Sequence, residues 1–136
     1  MFNIKNTKIM RLSEKVLKKR FKKFNESYFN GELVEPQFVI TGSRWTAGMF
    51  VSKLIIQEDE DGNDYISELR KIRIHLSKHL IKNSRILDNI LLHEMIHYYG
   101  YYMNADMEGL HEDYFLGMAE EINRDGYNIQ KYYEEE

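Results

Sequence analysis

Leu17, Phe21, Phe24 and Tyr28 recur at steps of four, three and four along a stretch otherwise filled with lysine, arginine and polar residues. Positions so spaced stack on one side of a helix, so the pattern predicts an amphipathic helix over about residues 6–30. Asn30-Gly31 supplies its stop, and Pro36, the sole proline, separates it from the next segment. Apolar and β-branched residues then predict short strands: Phe38-Val39-Ile40, a stretch from Met49 to Ile56, and Ile72, Ile74 and Leu76 alternating with Lys71, Arg73 and His75. Between the last two lies the acidic run 58–64, whose Asp61-Gly62 is a hairpin-loop signal; it lacks the ligand spacing and closing Glu of a calcium loop.

Helical spacing returns with Ile86, Leu87, Ile90, Leu91 and Ile96, which predict a helix over about residues 84–99, capped by Asn83 or Ser84 and stopped by Gly100. A last helix is expected over about residues 111–124, burying Phe115, Met118, Ala119 and Ile122, with an exposed tail at 132–136. The predicted fold is α+β: an N-terminal helix, a small three- to four-stranded, mostly antiparallel sheet, then two helices. With 136 residues and no internal repeat or linker, one domain spanning 1–136 is expected.

Composition changes this picture at two points. No cysteine is present, so disulfides and thiolate metal sites are excluded and any metal must be held by His, Asp or Glu. That usage, and the lack of a signal-like or membrane-spanning apolar run, fit a cytoplasmic protein with no membrane partner. The net charge of −3 conceals an asymmetry: residues 1–23 hold nine Lys or Arg against one acid, Glu14, or +8. The remainder carries 19 − 9 = 10 basic against 22 − 1 = 21 acidic groups, or −11. A basic end on an acidic body suggests contact with a polyanion, nucleic acid first, through Lys15, Lys18, Lys19, Lys22 and Lys23; the plainer alternative is a solvated helix face.

The candidate chemistry lies on the helix over 84–99, where the chain reads His93-Glu94-Met95-Ile96-His97. Residues four apart sit one turn apart on one face, so both imidazoles can reach a single zinc ion, and Glu94, about 100° round the helix, stands beside the metal as a general base. The chain's own His and Glu content predicts roughly 0.02 accidental copies of H-E-x-x-H. A catalytic zinc takes a third protein ligand. The metzincin continuation is excluded, because Met103 stands where its third histidine belongs. His111, at the start of the last helix, is the leading candidate, with Glu120 or Glu121 as alternatives; His75 and His79 read as solvated side chains. Tyr98, Tyr99, Tyr101, Tyr102 and Tyr114 are near enough in sequence to serve an oxyanion, though packing explains them as well.

Beyond the zinc motif, Phe24-Asn25-Glu26-Ser27-Tyr28-Phe29-Asn30-Gly31-Glu32-Leu33, Thr46-Ala47-Gly48, the strand 72–76, and His111 with Phe115 and Asn123 together resemble the SprT-like metallopeptidase domain, over about residues 12–125. The resemblance implies a zincin-like minimal metalloprotease with one zinc ion on His93, His97 and His111 and Glu94 as catalytic base. It also implies proteins bound or crosslinked to DNA as substrates. Two departures stand out: Glu112 replaces the family's usual glycine, and no Cys-rich zinc ribbon is present. Two other functions compete with this expectation: a catalytically silent, zinc-stabilised module that binds DNA or protein, and a regulatory H-E-x-x-H peptidase with a downstream Glu ligand.

Overall fold

The computed structural model describes residues 11–103 and 111–131, with side chains for all of these except 53–56, 65–71 and 111–112. Its elements run α1 (Glu14–Tyr28), β1 (Gln37–Thr41), β2 (Gly48–Glu58), β3 (Asp64–Ser77), α2 (Ser84–Tyr102) and α3 (His111–Asn123). The α+β order is the one the hydrophobic pattern predicts. Among the described residues no helix is long and apolar enough to cross a membrane.

The first helix begins later than its periodicity suggests. Ser13, with extended backbone, accepts a hydrogen bond on its Oγ from the Val16 N–H and starts α1 there. Leu17, Phe21 and Phe24 are buried and Tyr28 half-buried, which is the expected face. The end also agrees with expectation: Asn30 (φ 55°) and Gly31 (φ 67°) both turn left-handed. Asn25 then ties down the chain beyond the turn, its Nδ2 donating to Leu33 O at 2.8 Å and its Oδ1 accepting from the Leu33 N–H at 3.1 Å.

The sheet has strand order β1-β3-β2, with the long β2–β3 ladder antiparallel, as expected for most of the pairing, and the shorter β1–β3 ladder parallel, which makes the sheet mixed. The acidic run forms the tip of the long β2–β3 hairpin, as its Asp-Gly signal predicts. Phe38, Phe50, Ile74 and Leu76 turn towards the helices, while Arg73 and His75 point to the other face. His75, expected to be solvated, is half-buried, and its Nε2 is shielded without a partner among the described residues; His79 is exposed, as expected.

Helix α2 runs through the centre of the molecule. Asn83 caps it through Oδ1, which accepts from the Ile86 N–H at 2.9 Å. Leu87, Leu91, Leu92, Met95 and Ile96 have no exposed surface, so α2 is buried on several sides at once. Gly100 does not stop it. The glycine is buried inside the helix, which continues to Tyr102 and is held there by Tyr99 against Phe29 and by Tyr98 and Tyr101 against Phe50. In α3, Phe115, Ala119 and Ile122 are buried as predicted, and Met118 is half-buried.

Candidate metal centre

The H-E-x-x-H segment lies wholly within α2, and both histidines face α3 and the segment after it. Their Nε2 atoms approach to 3.1 Å, with ring centroids 4.8 Å apart. Two ligands of one zinc ion, each about 2.1 Å from it, have Nε2 atoms within about 4.2 Å of each other, so this spacing fits a shared ion. The ring of Phe115 lies 4.6 Å from that of His93 and 4.8 Å from that of His97, and is itself buried. It closes the apolar side of the pair.

His93 is held by a contact the sequence did not announce. Its Nδ1 lies 2.6 Å from the backbone carbonyl of Gln130. A carbonyl can only accept, so the proton sits on Nδ1 and Nε2 keeps its lone pair for a metal. Burial, with His97 alongside as a lesser cause, pushes the His93 pKa down to about 4, so the ring is neutral at physiological pH, as a ligand must be.

The position of that carbonyl is set by two asparagines. Asn123, the last residue of α3, donates from Nδ2 to Ile129 O at 3.0 Å and accepts on Oδ1 from the Ile129 N–H at 2.7 Å. Asn89 of α2 accepts from the Asn128 N–H at 3.0 Å. Ile129 is buried between these tethers. Asn25 fixes Leu33 by the same two-bond clamp, so a lone Asn at a helix end facing a later apolar residue is the sequence signal for both.

Glu94 is 4% exposed and packs beside strand β2. A Cβ placed on Gly48 would lie 2.7 Å from Ile90 Cγ2 and 2.9 Å from Glu94 Oε2, so those side chains would have to shift to admit it. The glycine of Thr46-Ala47-Gly48 is thus required by the close approach of β2 to α2 at the carboxylate. If Glu94 is the base of a hydrolytic site, Gly48→Ala is expected to displace it and lower hydrolysis by about tenfold to a hundredfold, since a shift near 1 Å at a reacting group costs that much. Steady-state kinetics with a melting curve check it; unchanged kcat/KM would mean that Glu94 tolerates the displacement.

Position 111 opens α3, one turn before Phe115 and so on the helical face that carries Phe115 to the two imidazoles. The His111 side chain lies outside the described residues. Among the described residues no group of three His, Cys, Asp or Glu side chains converges on one point. Glu120 and Glu121 are exposed, and Glu120 lies 4.0 Å from Arg124, so neither joins the imidazoles. The hydroxyls of Tyr98, Tyr99 and Tyr114 are engaged by Val34 O, Glu32 and Ile96 O.

The lysines of α1 are elsewhere. Lys15, Lys19 and Lys22 are exposed, Lys18 pairs with Glu14 at 3.0 Å, and Lys23 Nζ stands 5.7 Å from the Phe24 ring centroid. No curated protein matches the chain. The model of the SprT-like family matches residues 17–133, from α1 through the segment that carries Gln130. Over that extent, which is most of its length, the chain belongs to the SprT-like family.

Proposed function

We propose that this protein is a zinc-dependent endopeptidase in which His93, His97 and His111 hold one zinc ion and Glu94 is the catalytic base. The observation that carries the reading is the pair of convergent Nε2 atoms at 3.1 Å, one imidazole pinned in the ligand tautomer, with a buried carboxylate on the adjoining residue. The SprT-like family is generally zinc-associated, which agrees with a donor set made of imidazoles in a chain without cysteine. His111 is supported as third ligand by its place one turn from Phe115, and the exposed Glu120 and Glu121 have no such support.

Zinc bound there supplies Lewis acidity, making a water acidic near neutral pH and polarising the scissile carbonyl. Glu94 takes the proton from the attacking water and returns it to the leaving amine. Its burial keeps competing solvent from the carboxylate, and Gly48 lets the strand come close without displacing it. Phe115 and the Gln130 carbonyl orient the imidazoles before substrate arrives, so little reorganisation remains for the reaction itself. Substrates bound to DNA are the biological setting that family membership supports. The direct test is Glu94→Gln, assayed for casein or histone cleavage with zinc content measured in parallel; a catalytically silent binding module would show no cleavage in the wild type either.

A further inference from the structure

The connection between α1 and β1 reads Glu32-Leu33-Val34-Glu35-Pro36, and within it Val34 is 75% exposed while Leu33 beside it is buried. A loose loop does not account for that exposure. Asn25 clamps Leu33 through two hydrogen bonds, Val34 O accepts from the Tyr98 hydroxyl at 2.8 Å, and Pro36 is buried. Opposite this connection stands the last turn of α2, which runs past Gly100 to carry Tyr101 and Tyr102. Between the two lies a cavity of about 500 Å³, lined by Val34, by Tyr98, Tyr101 and Tyr102, and by Ile72 of β3. That volume is in the range of ligand sites, roughly 300–1,000 Å³.

The lining is mostly apolar, yet the charged residues that border it, Glu32 and Glu35, are both carboxylates. Lys18 does little to offset them: it stands 4.0 Å from Glu35 but 3.0 Å from Glu14, so its charge is divided. Tyrosine rings present negative charge on their faces, so the rings and the carboxylates select the same ligand charge, a cation. Of the cationic side chains, a guanidinium is planar, weakly hydrated, able to stack on a ring and able to bond a carboxylate with two N–H groups at once. An anion would be repelled, and a purely apolar ligand would leave the carboxylates without a partner. The cavity holds more than one side chain, so residues flanking the cation enter with it. Exposed Val34, Tyr102 and Met103 offer them apolar surface at the same end of α2. Because the connection and the helix end are already tied together, little ordering is left for binding to impose.

We propose that this cavity is a docking site for an arginine-containing peptide segment of a partner protein, its guanidinium held by the tyrosine rings and by Glu32 and Glu35 while flanking apolar side chains cover Val34. The site is separate from the imidazole pair. His93 and His97 lie against Phe115 of α3, whereas Tyr98 and Tyr101 lie against Phe50 of β2. Docking here needs neither zinc nor hydrolysis, because binding is read without turnover.

The test is an amide-resolved NMR titration of the full-length protein with a blocked Gly-Leu-Arg-Leu-Gly peptide, its integrity checked by mass, and with counterparts carrying Gln or Glu in place of Arg. Amides of residues 32–35 and 98–103 should shift along one isotherm. The Gln peptide should bind about fivefold or more weakly, and the Glu peptide should not bind. Glu32→Gln with Glu35→Gln should weaken the Arg peptide by about three- to tenfold and flatten its salt dependence. Tyr102→Ala, which removes a ring that is already exposed, should cost about threefold, and the unchanged remainder of the spectrum shows that both variants fold. The proposal is overturned if no amide shifts by ~1 mM peptide. It is equally overturned if the shifts are confined to residues 93–97, if the Arg and Gln peptides bind alike, or if the variants bind as wild type does. Shifts at 32–35 and 98–103 that follow protein concentration without peptide would assign the cavity to a second copy of the chain and overturn it as well.

Discussion

Glu94→Gln lowers peptide hydrolysis by about 10²- to 10⁴-fold and leaves the zinc content at the wild-type level, if the carboxylate is the base and not a ligand. The amide has nearly the same shape, so it fills the same space against Gly48 and Ile90 and does not disturb α2. It cannot accept a proton. Side-chain burial at 4% exposure leaves bulk water few routes to replace the missing base, which is why the large end of that range is expected. Glu94→Ala should be equally inactive but less informative, because it opens a gap beside Gly48. A Glu94→Gln protein with near wild-type kcat would remove Glu94 from the chemistry, and loss of zinc in that variant would make the carboxylate a metal ligand.

Asn123→Ala is expected to weaken zinc binding by about 10- to 100-fold, although Asn123 itself touches neither imidazole. Its two bonds fix Ile129, and the next residue presents the carbonyl that holds the Nδ1 proton of His93. Without them the Ile129 N–H and C=O lose their partners in a buried setting, costing roughly 1–3 kcal/mol of stability. The carbonyl then wanders, and His93 loses the partner that sets its tautomer and ring angle. Competition with a chromophoric chelator measures the affinity, and a melting curve of the metal-free protein measures the structural part separately. Equal zinc affinity in Asn123→Ala and wild type, alongside a lowered melting temperature, would reduce the clamp to a purely structural role.

The helix that carries His93 and His97 was legible because its information is local. The spacing of His93, Glu94 and His97 needs only the helical period, and the apolar positions around them supply that period. The hairpin tip at 58–64 was legible for the same reason. Gly100 misled, since a glycine after a periodic run usually marks a stop, whereas here the packing of Tyr98, Tyr99 and Tyr101 carries the helix on to Tyr102. The parallel pairing of β1 with β3 depends on contacts between residues far apart in sequence, which alternation along a strand does not encode.

The supports of the site were less legible than its named residues. The Gln130 contribution is a backbone carbonyl, so nothing in the identity of the side chain points to it. Phe115 has the spacing of a core residue and is one, yet the same ring also walls both histidines. Gly48 is legible in the sequence only as part of a motif, and the approach of Glu94 gives the reason that no larger residue fits.

The proposed hydrolysis needs three imidazoles on one zinc ion, and His111 is the ligand on which that arrangement turns. Chelator competition on the wild type and on His111→Ala tests it most directly, read as zinc retained per chain by elemental analysis. About one tightly held zinc is expected in the wild type, with a loss of affinity of at least about a hundredfold when the third imidazole is removed. A His111→Ala protein that keeps its zinc as firmly as the wild type, or a wild type that binds none, would contradict it.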